Sequence, residues 1–109
     1  MVGMSHRVAP VHVLEQVSMG EDKRDRTAAR LMQCPSLSEV LLLSTCNRVE
    51  VYSVTNSFHS GVNEIVDVLS ATSGLNADEL REHLYVRYAD AAAEHMLAVA
   101  SGLDSMVLG

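Results

Sequence analysis

The sequence lacks long apolar runs. Of its 109 residues 48% are hydrophobic, yet no stretch approaches the ~20 apolar residues of a membrane-spanning helix. It also lacks the basic flank and apolar core of a signal peptide, so a cytoplasmic protein is expected. Two cysteines, Cys34 and Cys46, are too few for a disulfide framework, which fits a reducing compartment. The histidines His6, His12, His59, His83 and His95 show no HxxxH spacing and there is no CxxC, which argues against a structural zinc site. Glycines 3, 20, 61, 74, 102 and 109 contain no GxGxxG, which excludes a dinucleotide-binding fold in this stretch. Excess positive charge is missing too. Residues 1–60 hold six basic and six acidic side chains, and residues 61–109 hold two and eight, so the net charge of −6 lies in the second part. The domain as a whole does not attract a polyanion at long range. Lys23, Arg24, Arg26 and Arg30, interleaved with Asp22 and Asp25, read as a solvated helix face, with a phosphate contact as the alternative.

What is present suits one domain with its own core. Val2 to His6 reads as a short strand ended by the turn at Pro10. Val11 to Val17 reads as a turn or two of helix. Ser18-Met19-Gly20-Glu21 resembles a capping box, opening a helix to about Gln33 that buries Ala28, Leu31 and Met32 before Pro35 stops it. Val40 to Leu43 is continuously apolar, as in a strand buried on both faces. From Arg48 to Val54 the pattern alternates, with Val49 and Val51 on one face and Arg48, Glu50 and Tyr52 on the other. Ser60-Gly61 open a further helix with Val62, Ile65, Val66 and Leu69 on one stripe, and Gly74 supplies its left-handed exit. Asn76 caps a short acidic helix ending near His83, and Leu84 to Tyr88 is a fourth strand. The order β-α-β-β-α-β predicts an α+β fold, a ferredoxin-like sandwich with helices on one face of an antiparallel sheet. Asp90 then caps an additional C-terminal helix with Ala92, Met96, Val99 and Leu103 along one stripe.

The chemistry gathers at Ser44-Thr45-Cys46-Asn47, the connection between the second and third strands. A cysteine among turn amides, with a guanidinium two residues on, sits where thiolate is favoured. Taken on pattern alone, a free cysteine is more often a small buried hydrophobe than a nucleophile. Arg48 likewise has a plain reading, an ion pair with Glu50 or Glu39. His6 is read as a turn residue bonding backbone, with a functional role as the alternative. Cys34 is read as structural or incidental.

Three stretches shift that balance. Ser44-Thr45-Cys46-Asn47-Arg48-Val49-Glu50-Val51-Tyr52 resembles the signature of glutamyl-tRNA reductase. Gly3-Met4-Ser5-His6-Arg7-Val8-Ala9-Pro10 and Ala98-Val99-Ala100-Ser101-Gly102-Leu103-Asp104-Ser105-Met106-Val107-Leu108-Gly109 match the same family in the same order. The resemblance implies that Cys46 attacks the ester joining glutamate to tRNA, giving a thioester that NADPH reduces to glutamate-1-semialdehyde for tetrapyrrole synthesis. It implies that Thr45, Asn47, Arg48 and Ser105 contact the glutamyl group and that His95 is catalytic. Were the last helix unbroken, His95 and Ser105 would lie roughly 80° apart around it and border one cleft. The resemblance further implies a catalytic domain over residues 1–109, with residues 89–109 as a terminal helix leading to NADPH-binding and dimerisation domains elsewhere in the protein. Expected partners are glutamyl-tRNA, a second subunit and the next pathway enzyme, glutamate-1-semialdehyde aminomutase. The competing class is a non-catalytic ferredoxin-like interaction or regulatory module.

Overall fold

A computed structural model describes residues 1–87. The elements run β1 (Val2–Ser5), α1 (Val11–Val17), α2 (Glu21–Met32), β2 (Leu37–Ser44), β3 (Arg48–Thr55), α3 (Phe58–Ser73), α4 (Ala77–His83) and β4 (Tyr85–Val86). The final helix expected from Asp90 onward lies outside the described residues. The fold is α+β, built on a four-stranded antiparallel sheet in the order β2-β3-β1-β4. None of its described helices is long and apolar enough to cross a membrane.

Period-two alternation divides the sheet into two faces. Val2 and Met4 of β1 stand opposite Val51 and Val49 of β3, and all four are buried. With Leu42 they join Val13, Leu14, Leu31, Ile65, Leu69 and Leu80 in one core, so all four helices contribute to a single apolar layer. Leu37 and Leu42 both belong to that core although five positions separate them, a spacing that would aim them at opposite faces of a regular strand. The register irregularity between Leu37 and Glu39 resolves the conflict, because one extra residue reverses the alternation.

The expectation of a strand buried on both faces fails for β2. It is the sheet's edge, and Leu41 is 57% exposed on the side away from the helices. An apolar run reports burial on both faces only where neighbours cover both, and an edge strand has one neighbour. Two details of α2 also differ. Ser18 donates its hydroxyl to the Leu14 carbonyl at 2.8 Å, closing α1 instead of capping α2, whose N-cap is Gly20. Glu21 and Asp22 in the first turn complement the helix dipole there. Met32 is exposed, while Thr27 and Leu31 are the buried residues of that helix.

The other boundaries follow their local chemistry. Gly74 ends α3 at φ 81°, a left-handed conformation with little cost for glycine. The Asn76 side chain accepts the Glu79 N–H at 2.7 Å and caps α4. The apolar face of α3 is wider than the expected stripe, because Val68 is buried beside Ile65, Val66 and Leu69.

Candidate functional site: the turn between the second and third strands

The β2–β3 connection is fixed by its own side chains. The Thr45 N–H donates to the Arg48 carbonyl at 2.8 Å. The Thr45 hydroxyl oxygen accepts the N–H groups of Asn47 and Arg48, each at 3.2 Å. A threonine that bonds the backbone two and three residues on closes the turn, so its place beside Cys46 has a local cause. Two neighbouring loops brace the same turn. The His6 N–H donates to the Asn47 carbonyl at 3.0 Å, and Ser44 Oγ accepts the Met19 N–H at 3.0 Å. The bond at His6 comes from its backbone, while its side chain is exposed.

Cys46 sits exposed at the crest of this turn. Cys34 is half-buried after α2, its Sγ 3.6 Å from the Arg30 carbonyl. Burial raises the Cys34 thiol above its ordinary value, Glu64 and Asp67 add to the rise, and Arg30 opposes it. Accessible sulfur is therefore found at Cys46.

Arg48 begins β3 on the face away from the helices. Its Nη1 lies 3.8 Å from Glu50 Oε2, with the arginine side chain 26% exposed and that of Glu50 0%. The plain reading of Arg48 as an ion-pair partner of Glu50 therefore has a physical counterpart. Glu39 stands opposite Val54, toward the far end of the hairpin. Sequence reasoning named Glu50 only as a possible partner of Arg48 and missed its complete burial. Two phenols donate to it, Tyr52 Oη to Oε1 at 2.9 Å and Tyr85 Oη to Oε2. Burial, followed by these hydrogen bonds to the carboxylate, raises both tyrosines well above the ordinary phenol value, against a smaller opposing effect of Arg48.

Gly3 makes room for this cluster. It pairs with Glu50 on one side and Tyr85 on the other, at the centre of the sheet. A Cβ on Gly3 would lie 2.8 Å from Glu50 Cγ and 3.0 Å from Tyr85 Cζ. The missing side chain lets a tyrosine from β4 reach across β1 to a carboxylate on β3. The alternation of Arg48, Glu50 and Tyr52 already placed those three on one face. Tyr85, 35 residues from Glu50, gave no local signal. Thr45, Cys46, Asn47 and Arg48 thus come together at one sheet end with His6, while His95 and Ser105 lie outside the described residues.

Residues 2–109 match the family described as Glutamyl-tRNAGlu reductase, N-terminal domain. Over its full length the chain is 63% identical to a glutamyl-tRNA reductase of Corynebacterium efficiens, covering 23% of that protein. It is 62% identical to one of Corynebacterium glutamicum, covering 24%, and 60% identical to one of Corynebacterium diphtheriae, covering 25%. The chain therefore spans about a quarter of the length of the curated relatives it matches.

Proposed function

The chain belongs to the glutamyl-tRNA reductase N-terminal domain family, and from that premise we propose that it supplies the nucleophile and the glutamyl-recognition site of a full-length reductase. The observation that carries the reading is the placement of Cys46: an exposed thiol on a turn pinned from both sides, with Arg48 two residues away. In the proposed reaction Cys46 Sγ, as thiolate, attacks the carbonyl carbon of the ester that joins glutamate to tRNA. The C–S bond forms, the C–O bond breaks, and the tRNA leaves with its hydroxyl reprotonated by solvent. A thiolate suits this exchange, and the thioester is a better hydride acceptor than the oxygen ester because sulfur donates resonance poorly.

Arg48 pairs with the side-chain carboxylate of the glutamyl group, which separates glutamate from its amide analogue. Thr45 and Asn47 shape the turn against the substrate, and Ser105 contacts the glutamyl group from the C-terminal segment. His95 orients or polarises the reacting carbonyl. The strand order β2-β3-β1-β4 supports a ferredoxin-like description of the sheet.

NADPH does not fit the described residues. The sheet is antiparallel throughout and no glycine-rich turn leads from a strand into a helix, the arrangement that cradles a pyrophosphate. Reduction to glutamate-1-semialdehyde in tetrapyrrole synthesis is assigned to residues beyond this chain, as are dimerisation and any contact with the next pathway enzyme. A cytoplasmic location follows from the same reading.

The test mixes the chain with glutamyl-tRNA, quenches in acid and weighs the intact protein. A glutamyl adduct present in the wild type and in Cys34→Ser, and lost in Cys46→Ser, is expected. No adduct in the wild type, together with a Cys46 slow toward iodoacetamide, would leave a binding module in place of a preassembled site.

A further inference from the structure

Glu50 has no part in the chemistry above, yet it is the one carboxylate among the described residues with 0% exposure. Burying a carboxylate is costly, and replacing a buried ionic cluster by well-packed apolar groups is often neutral or stabilising. Stability alone does not account for its presence. Its surroundings are specific: Oε1 takes Tyr52, Oε2 takes Tyr85, and Gly3 leaves the space in which they meet. Arg48 approaches Oε2 at 3.8 Å, beyond the 2.7–3.2 Å of an N–H···O hydrogen bond. The guanidinium is thus attracted by a fixed charge while that contact leaves its donor fork unused. An arginine clamped bidentately by Glu50 would have fewer donors left for a ligand, and one without a neighbour would sample many rotamers.

Building on the proposed role of Arg48, we propose that Glu50, held by Tyr52 and Tyr85 above Gly3, is the positioning residue that aims Arg48 at the side-chain carboxylate of the glutamyl group. Glu50 touches no substrate in this arrangement. Its effect is to select the arginine rotamer that presents paired N–H donors, and so to set discrimination between a carboxylate and an amide of the same shape.

The experiment uses the full-length enzyme and a single tRNA charged with either glutamate or glutamine. It reads kcat and KM for tRNA release, with iodoacetamide labelling of Cys46 in parallel. In Glu50→Gln the KM for the glutamyl ester is expected to rise about tenfold, the size of one charged hydrogen bond lost. The glutaminyl ester and Cys46 labelling stay within about twofold, because neither depends on the aim of Arg48. Tyr85→Phe, which keeps the ring and removes one donor to Glu50, is expected to raise the same KM about threefold and serves if Glu50→Gln folds poorly. Parallel losses on both esters, or unchanged selectivity in both variants, would overturn the proposal and leave Glu50 as scaffold. An Arg48→Gln arm separates the two levels. If Arg48→Gln leaves selectivity intact, carboxylate recognition by Arg48 is wrong and positioning falls with it. If Arg48→Gln abolishes selectivity while the Glu50 and Tyr85 variants keep it, only positioning fails.

Discussion

Replacing Gly3 by alanine adds a single methyl group, and its cost can be worked out from the sheet. The new Cβ would sit 2.8 Å from Glu50 Cγ and 3.0 Å from Tyr85 Cζ, both closer than ordinary contact. Neither neighbour yields easily. Glu50 is anchored by two phenols, and Tyr85 is itself one of the donors. Overpacking of this kind costs about 1–3 kcal/mol. Alanine also narrows the unfolded ensemble, which offsets about 0.4–1 kcal/mol. The net loss is then ~1–2 kcal/mol, which at a urea dependence of about 1.5 kcal/mol/M moves the midpoint down by ~1 M. Gly20→Ala is the matched control, since nothing lies within 4 Å of a Cβ built there. Gly20 is the N-cap of α2, so alanine there loses about 0.5–1 kcal/mol of capping preference, which its narrower unfolded ensemble offsets by about 0.4–1 kcal/mol, and the net effect is expected to stay within about 0.5 kcal/mol. Urea unfolding of the three proteins, followed by far-UV circular dichroism, decides the matter. A Gly3→Ala midpoint within ~0.3 M of wild type would refute the reasoning, because the cluster would then have slack that the contacts deny.

Alkaline pH probes the same cluster without mutation. Tyr52 and Tyr85 have folded values raised above the ordinary 10.0, so the native state keeps two protons that the unfolded chain releases. Their contribution is complete below the unfolded value and declines as pH rises beyond it toward the folded values. The urea midpoint is expected to drop above pH ~10, less steeply in Tyr52→Phe/Tyr85→Phe, and equal slopes would count against the assignment. Absorbance at 295 nm gives a direct check, with both phenols ionising late. The two thiols differ as well. Iodoacetamide near neutral pH is expected to label exposed Cys46 before half-buried Cys34, whose thiol is raised by burial and by Glu64, and peptide mapping after partial labelling reads the order.

Local chemistry made much of this fold legible in the sequence. The Gly74 exit, the Asn76 cap and the alternation from Arg48 to Val54 each rest on residues close in sequence, and each is found where expected. Readings that depended on distant neighbours went astray. Leu41 looks like a core residue until β2 is known to be the edge strand. Ser18 offers one hydroxyl to two helix ends, and only geometry decides that Leu14 receives it. Short-range patterns placed Cys46 and Arg48 on a turn and an alternating strand, while their proposed roles came from the resemblance of Ser44 to Tyr52 to a known family signature. Glu50 did not stand out, since a glutamate between valines reads as solvent-facing. Its burial depends on Tyr85, which sequence separation hides, and on Gly3, whose contribution is the absence of a side chain.

One of the two central strands of the sheet, β1, precedes the other three in sequence, and this sets an order of events during synthesis. β1 leaves the ribosome before either of its neighbours exists. The β2–β3 hairpin has only a short turn to close and can form on its own, whereas β1 must wait for β3 and then for β4. Tyr85 follows Glu50 by 35 residues, a delay of roughly 2–7 s at ~5–20 residues per second. Through that interval the carboxylate is left hydrated, and burying it early would carry a desolvation penalty with one phenol missing. The last strand to arrive therefore brings the donor that makes closure of the sheet favourable, and a nascent chain halted before Tyr85 would hold its sheet ajar.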